Sequence, residues 1–436
     1  MLMRYILNAA YLALLLALSP FLIYKAITTG KYRRGLLCKF LGLVPERKLH
    51  SPSAWFHGVS VGEIHLLRQV VARFRERFPD WQCVISTTTD TGMEEAQKAF
   101  PDLCVFYWPL DLSWAVCRAL KRIRPTLVIL AEGEIWPNFI LAASARAVPI
   151  AVINGRMSPR TRKHYQRLAL FLRPILSRIN LFCVQTNEYA DAYRTLGVDD
   201  HRIHVTGSVK FDGVAADRQN PRTLGFRRLF NVHARQTVWI AGSTQAPEEE
   251  LAINIFRRLS TENPSLRLFI VPRQRERFDE VATLLQRSGL RFVRRSQICE
   301  PLDDSKAVVL IDTIGELGAL WGLADISFVG GSLDGRRGGQ NMIEPAAYGA
   351  AVIFGPHVWN FKEIAARLVA AEAAVQVADG AELERVVKEL ADDAAQRKRL
   401  GERAQAFVRL QQGATERAVD VLGTLLRQRP ADRVAA

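Results

Sequence analysis

Short, almost unbroken apolar runs rich in β-branched residues alternate with longer stretches of helical period along most of this chain. The first series reads AWFHGV (54–59), QCVISTT (82–88), LCVFYW (103–108), LVILAE (127–132), PIAVIN (149–154) and LFCVQT (181–186). A second series follows: TVWIAG (237–242), RLFIVP (267–272), AVVLID (307–312), ISFVGG (326–331) and AAVIFG (350–355). A strand that reads apolar on every residue, rather than on every second one, is covered on both faces, which is the condition of a parallel strand between helices. Strand–helix alternation then predicts α/β architecture with doubly wound sheets. The break between the series, KFDGVAADRQNPR (210–222), carries Gly, Pro and polar residues and no apolar run. Two Rossmann-like domains are therefore expected, 31–210 and 223–436, the second ending in helices because the pattern beyond about residue 380 has helical period only. Open sheets of this kind bind ligands beyond the C-terminal ends of their strands, so the chemistry is expected in a cleft that the two domains face.

Residues 5–27, YILNAAYLALLLALSPFLIYKAI, form a different kind of run. It has the ~20 residues needed to cross a ~30 Å hydrocarbon core. Only Arg4 precedes it, whereas Lys25, Lys31, Arg33, Arg34 and Lys39 lie at its far end. The positive-inside rule then predicts a single-pass anchor over 1–30 with everything downstream in the cytoplasm. Ser19-Pro20 within the run, followed by cations, does not fit a cleaved signal peptide. The six cysteines include no CxxC, and the eight histidines no HExxH. Free thiols and no structural metal are expected.

The 59 Lys and Arg against 44 Asp and Glu give a net charge of +15, which calls for anionic partners. Nucleic acid is set aside, because no RNP, zinc-finger or repeat pattern interleaves the cations with aromatics. A P-loop is missing too. No D-x-D occurs, so a bound nucleotide is expected on helix ends and Arg, with no metal.

The candidate site residues stand where strands end. Glu63 follows the first run, in HGVSVGE, and opens a helix. It reads equally as an acid/base group or as a carboxylate complementing the helix dipole. GVSVG also fits the G-x-S-x-G elbow of serine hydrolases, but only a linker and the apolar segment precede it where an elbow needs an oxyanion loop. Glu132 and Glu134 close the run LVILAE and begin the next loop. The stretch NGRMSPRTRKHYQR brings Arg156, Arg160, Arg162, Lys163 and Arg167 together without an acidic residue, which suits a phosphorylated acceptor. In the second half Gly242-Ser243-Thr244, Val271-Pro272-Arg273, DTIGEL (312–317) and GGQNMIEP (338–345) place glycine, Ser243, Arg273 and carboxylates at strand ends and helix starts. Four such loops in one domain read as a nucleotide site.

HGVSVGE, AEGEIWPN, NGRMSPRT, VTGSVKFD, GST, VPR, DTIGEL, FVGGSL, GGQNMIEPAAYG and GPHVWNFKEI, in this order and over nearly the whole chain, resemble the 3-deoxy-D-manno-octulosonic acid (Kdo) transferases. These are membrane-anchored GT-B glycosyltransferases of lipopolysaccharide biosynthesis. The resemblance implies CMP-Kdo as donor, the lipid A precursor (lipid IVA) as acceptor, inversion at the anomeric carbon, no metal, and a place at the inner membrane. It makes 31–210 the acceptor-binding domain and 223–436 the CMP-Kdo-binding domain. By position, Glu63 matches the family's base, and Glu132 and Lys210 match transition-state stabilisers. Pro272, Arg273, Ile314, Gly315, Glu316, Asn341, Met342, Ile343 and Glu344 match the CMP contacts. Three residues depart from the pattern: Gln340 stands where the family often has His, Pro247 where it often has Gly, and Gly133 where it usually has Thr. Another GT-B transferase, a nucleotide-sugar epimerase and an inactive lipid-binding scaffold are the competing expectations.

Overall fold

A computed structural model describes residues 2–29, 33–48, 51–304 and 306–427. Lys31, one of the expected flanking cations, lies outside them, as does the 428–436 end of the expected second domain. The chain forms two compact units, Met1–Asp212 with Gln412–Ala436, and Gly213–Gln411.

The first unit is built on seven parallel strands: β1 (Ser53–His57), β2 (Gln82–Thr87), β3 (Cys104–Tyr107), β4 (Leu127–Ala131), β5 (Ile150–Gly155), β6 (Leu181–Val184) and β7 (Ile203–Val205). Their order across the sheet is β3-β2-β1-β4-β5-β6-β7. The second unit repeats the plan with β8 (Thr237–Thr244), β9 (Leu266–Pro272), β10 (Phe292–Arg294), β11 (Val308–Leu310), β12 (Ile326–Val329), β13 (Ala351–Phe354) and β14 (Val375–Gln376), in the order β10-β11-β9-β8-β12-β13-β14. These are the two doubly wound sheets of a GT-B-type chain. Every residue of β1, β4, β8 and β9 is buried, as unbroken apolar runs require. All eleven apolar runs became strands. The edge strands β7 (IHV), β10 (FVR) and β14 (VQ) are short and each includes a polar residue, so none reads as an unbroken apolar run.

In each sheet the winding reverses beside its first strand, between β1 and β4 and between β8 and β12. Helices leave the sheet on opposite faces at such a point, and a crevice opens at the strand ends. The end of β1 is held firmly against it. Trp55 sits edge-on to Trp108 and Phe139 at ring-centroid distances of 5.2 Å, and its Nε1 donates to Ser86 Oγ at 2.7 Å. His57 stacks on Trp108 at 3.8 Å. Full burial pushes its imidazole down to about pKa 3, so it is a neutral packing group.

One boundary differs from expectation. The final helix, Ala414–Arg427, belongs to the first unit, not to the second. Its Ala414, Ala418, Val419 and Leu422 join the core formed by β1, β2 and the helix Val61–Arg77. Asp212 accepts from Gly413 N at 2.7 Å and Thr415 N at 2.5 Å, which satisfies amides that open this helix. Helical period marks that these residues form a helix, but gives no information about which of two similar cores buries the apolar stripe.

The apolar N-terminal segment is a helix, Leu2–Thr29, long and apolar enough over Met3–Phe21 to cross a membrane. Its Leu12, Leu14, Leu16, Phe21, Ile23 and Ile27 are exposed. Near its start Asn8 is buried, accepting from Ser113 N (3.0 Å) and Asn138 Nδ2 (3.2 Å) and donating to Ser113 Oγ (2.7 Å). All six cysteines are free.

Candidate active site

The crevice between β1 and β4 gathers the acidic residues singled out in the first half of the sequence. Glu63 lies in the first turn of the helix Val61–Arg77 and is 8% exposed. Its carboxylate accepts from Val59 N at 2.7 Å and Ser60 Oγ at 3.0 Å. Ser60, the helix N-cap residue, thus spends its hydroxyl on Glu63 and not on the helix amides. Burial raises the Glu63 pKa above its ordinary value, the nearby Glu132 adds to this, and the two hydrogen bonds oppose it.

Glu132 is the residue after β4 and has a left-handed backbone, φ 58°. Its carboxylate pairs with Arg156 Nη2 at 2.7 Å and Lys210 Nζ at 3.4 Å. Glu134, two residues on, is pushed up to about pKa 7, first by burial and then by the charges of Glu63 and Glu132. The cluster thus holds three carboxylates and two cations, and the third carboxylate sheds its charge near neutrality. Gly133 between them has φ 95°, and a Cβ there would lie 2.6 Å from Tyr193 Oη. In this chain the loop is built around glycine, so the usual Thr would not fit without a shift.

Arg160, Arg162 and Lys163 follow on the helix Pro159–Arg167, which has no buried residue. Among the described residues none of the three forms an ion pair, so their charge is available to an anion.

The second unit places its motif residues on strand ends too. Ser243 is the penultimate residue of β8, with φ 55°. Pro272 is buried at the end of β9, while Arg273 is exposed and its N–H donates to Thr244 O at 3.0 Å. Beyond β11, Ile314 is 67% exposed, Gly315 has φ 85°, and Glu316 pairs with Arg295 at 3.0 Å and accepts from Thr313 Oγ1. After β12, Asn341 donates to Glu344 at 3.0 Å and accepts from Ile343 N at 3.1 Å. Burial raises the Glu344 pKa, and the Arg273 charge opposes this. Met342 and Ile343 are buried, 0% and 1% exposed, and the Ile343 N–H is taken by Asn341, so of this segment Asn341 and Glu344 are the residues with exposed surface. Among the described residues there is no cluster of metal ligands.

Two residues of consequence escaped the sequence reading. Asn154, fully buried at the end of β5 with φ 52°, donates to Glu132 at 3.4 Å and accepts from Val209 N at 3.0 Å. It ties the Glu132 loop to the turn that carries Lys210. Its signal is the Asn-Gly pair at a strand end, a sequence that tolerates left-handed backbone. Glu248, the first residue of the helix Glu248–Glu262, is the second: its carboxylate accepts four backbone N–H groups. Glu132, Asn154 and Ser243 all hold non-glycine residues in the left-handed region at the ends of strands, strain of the kind that accompanies functional sites.

A family model described as 3-deoxy-D-manno-octulosonic-acid transferase (kdotransferase) matches residues 35–213. The 3-deoxy-D-manno-octulosonic acid transferase of Haemophilus influenzae is 33% identical over 425 residues, spanning 96% of this chain and 98% of that protein. The protein of the same name from Bordetella pertussis is 33% identical over 377 residues, 84% of this chain and 86% of its own length. Among solved structures, UDP-GlcNAc 2-epimerase from Neisseria meningitidis, bound to UDP-GlcNAc, superimposes with a TM-score of 0.57 over 86% of this chain and 100% of that one. At 11% identity this likeness speaks to the fold alone.

Proposed function

The chain belongs to the Kdo transferase family of glycosyltransferases, which acts in lipopolysaccharide biosynthesis, and from that premise we propose that it moves Kdo from CMP-Kdo to a hydroxyl of lipid IVA, with Glu63 as general base and inversion of the anomeric centre. One observation carries this reading: a buried carboxylate, Glu63, stands at the switch point of the first sheet with Val59 N and Ser60 Oγ as its hydrogen-bond partners. It has no Lys or Arg ion pair among the described residues. Such a group is basic enough to take a proton and is oriented to do so.

In the proposed step the acceptor hydroxyl oxygen forms a bond to the Kdo anomeric carbon as the bond from that carbon to the CMP phosphate oxygen breaks. The hydroxyl proton passes to Glu63, and the bonding pair leaves on CMP. Val59 N–H and Ser60 Oγ–H favour the ionised carboxylate and oppose, without cancelling, the effect of burial. Glu132, fixed by Arg156, Lys210 and Asn154, sets the electrostatics beside the reacting centre, and Lys210 relieves charge on the donor's own carboxylate. Arg156, Arg160, Arg162 and Lys163 receive the phosphorylated acceptor. The second unit takes the nucleotide through Ser243, Pro272, Arg273, the loop 314–316 and the segment 341–344, with no metal required.

The N-terminal helix anchors this chemistry to a membrane. Lys25, Arg33, Arg34 and Lys39 at its far end support an anchor at the cytoplasmic face of the inner membrane, and Asn8 near its start is bonded to Ser113 and Asn138 of the first unit on that same face. Arg34 also pairs with Glu94 at 2.8 Å, so part of that positive flank is structural.

The reading is tested by mass spectrometry of tetraacyl lipid A precursor incubated with the purified protein, CTP, Kdo and an enzyme that forms CMP-Kdo in place. The expected result is a mass increment of whole Kdo units that disappears with Glu63→Ala. An unmodified acceptor in the presence of a competent donor supply would sink it.

A further inference from the structure

We propose that Glu248 is a positioning residue for the nucleotide-sugar donor, its carboxylate clamping the loop after β12 onto the loop after β8 before any ligand binds. The proposal rests on the donor role given above to the second unit. The observation behind it is a nest of four converging amides. Glu248 Oε2 accepts from Gln245 N at 3.0 Å and Gly331 N at 2.7 Å, and Oε1 accepts from Ser332 N at 2.9 Å and Leu333 N at 3.1 Å. The residue is 1% exposed. At the switch point of a doubly wound sheet, backbone N–H groups commonly face an anionic ligand. In this unit an anion of the protein's own side chain fills that place, between β8 and β12.

The fit leaves no slack. A Cβ on Gly330 would lie 2.6 Å from Thr244 Cα and 2.7 Å from Glu248 Oε2, so the two strand ends meet at backbone contact. From the clamped loop, hydrogen bonds run on toward the proposed donor residues. Gly339 N donates to Gly331 O at 2.7 Å, fixing the chain just ahead of Asn341, and Gly355 N donates to Ser332 Oγ at 2.8 Å. The next residue, Glu249, is fully buried and takes the Arg277 guanidinium at 3.0 and 3.3 Å, tying the same helix turn to the segment that follows Arg273. One turn of the helix Glu248–Glu262 therefore braces the loops after β8, β9 and β12 together.

Only a carboxylate satisfies the nest. A carboxamide presents NH2 to one of the two amide pairs, donor against donor, and a methyl group leaves four buried N–H groups unpaired. Glu248→Gln should thus leave the sheet intact and disorder one side of the clamp.

The experiment compares wild-type full chain with Glu248→Gln, using CMP alone as the calorimetric probe, together with donor and acceptor kinetics and amide hydrogen exchange. The expected result is a loss of CMP affinity of tenfold or more, a parallel rise in KM for CMP-Kdo, an acceptor KM within twofold of wild type, and a smaller change in kcat. In the free wild-type chain the amides of Gly331, Ser332 and Leu333 should already exchange slowly. A folded Glu248→Gln protein with CMP affinity within twofold of wild type overturns the proposal. So does rapid exchange of those three amides in the free chain that slows only when CMP is added, a readout that stands even where the variant does not fold. A wild-type chain that binds no CMP overturns the donor assignment on which the proposal rests, whereas exchange in the free chain decides the clamp separately.

Discussion

Glu63, Glu132 and Glu134 share one crevice but have different surroundings, and their chemistry divides accordingly. A general base works in its ionised form, so turnover should fall as pH drops through the raised pKa of Glu63, and Glu63→Gln should remove that acid limb with a loss in kcat of about 10²–10⁴-fold. A pH–rate profile of wild type and variant decides it; an unchanged limb in the variant would assign the titration to another group. Glu134 carries a different consequence. Its pKa is raised in the fold to about 7 because burial, then Glu63 and Glu132, disfavour its charge. A carboxyl group with a raised folded pKa contributes stability below its unfolded pKa and loses that contribution as pH rises through the folded value. Glu134→Gln should therefore raise Tm at pH 8, with the gain shrinking toward pH 5. An equal shift in Tm at both pH values would mean that the carboxamide acts through packing instead.

At the scale of elements, the last helix and the first are held to the same unit by hydrogen bonds to a single side chain each, Asp212 and Asn8. Asp212→Ala deprives Gly413 N and Thr415 N of their acceptor and should cost about 1–2 kcal/mol in urea denaturation, the usual worth of a helix cap. Ending the chain after Gln411 is the harsher test. It uncovers the core face that Ala414, Ala418, Val419 and Leu422 close, so the shortened protein should aggregate. A soluble, cooperatively folding product would mean that the helix is dispensable. Asn8 plays the matching part at the other end of the chain. Its contacts with Ser113 and Asn138 hold the start of the apolar helix against the first unit and leave the exposed apolar length from Leu12 onward to meet lipid.

For the molecule as a whole, the net charge of +15 and the apolar helix predict membrane association with two separable parts. Raising salt from 0.05 to 0.5 M, which shortens the screening length about threefold, should weaken binding of a chain lacking residues 1–29 to anionic vesicles. The full-length chain should stay bound throughout. Salt-insensitive binding of the shortened chain would shift the weight from charge to exposed apolar surface. Donor binding through helix ends and Arg also predicts that EDTA leaves turnover unchanged.

The two sheets are legible in the order of the amino acids, because a strand buried on both faces is apolar at nearly every position, and that leaves a run visible without any tertiary information. That order also placed Glu63, Glu132, Ser243, Pro272 and Arg273 at or beside strand ends, since each stands in or just after a run, whereas residues 341–344 follow β12 only after a loop. Three things needed the folded chain. The edge strands β7, β10 and β14 exist by pairing with a neighbour, and a polar residue in each breaks the apolar pattern that marks the buried strands. The helix Ala414–Arg427 could have served either core, and the choice fell to Asp212 and to an apolar face on β1, β2 and the helix Val61–Arg77, all too far away in sequence for local pattern to report. The hubs Asn154 and Glu248 act through backbone amides of distant segments. A backbone N–H is the same at every residue, so no sequence pattern marks which carboxylate or carboxamide will find it; that is decided only when the strands lie side by side.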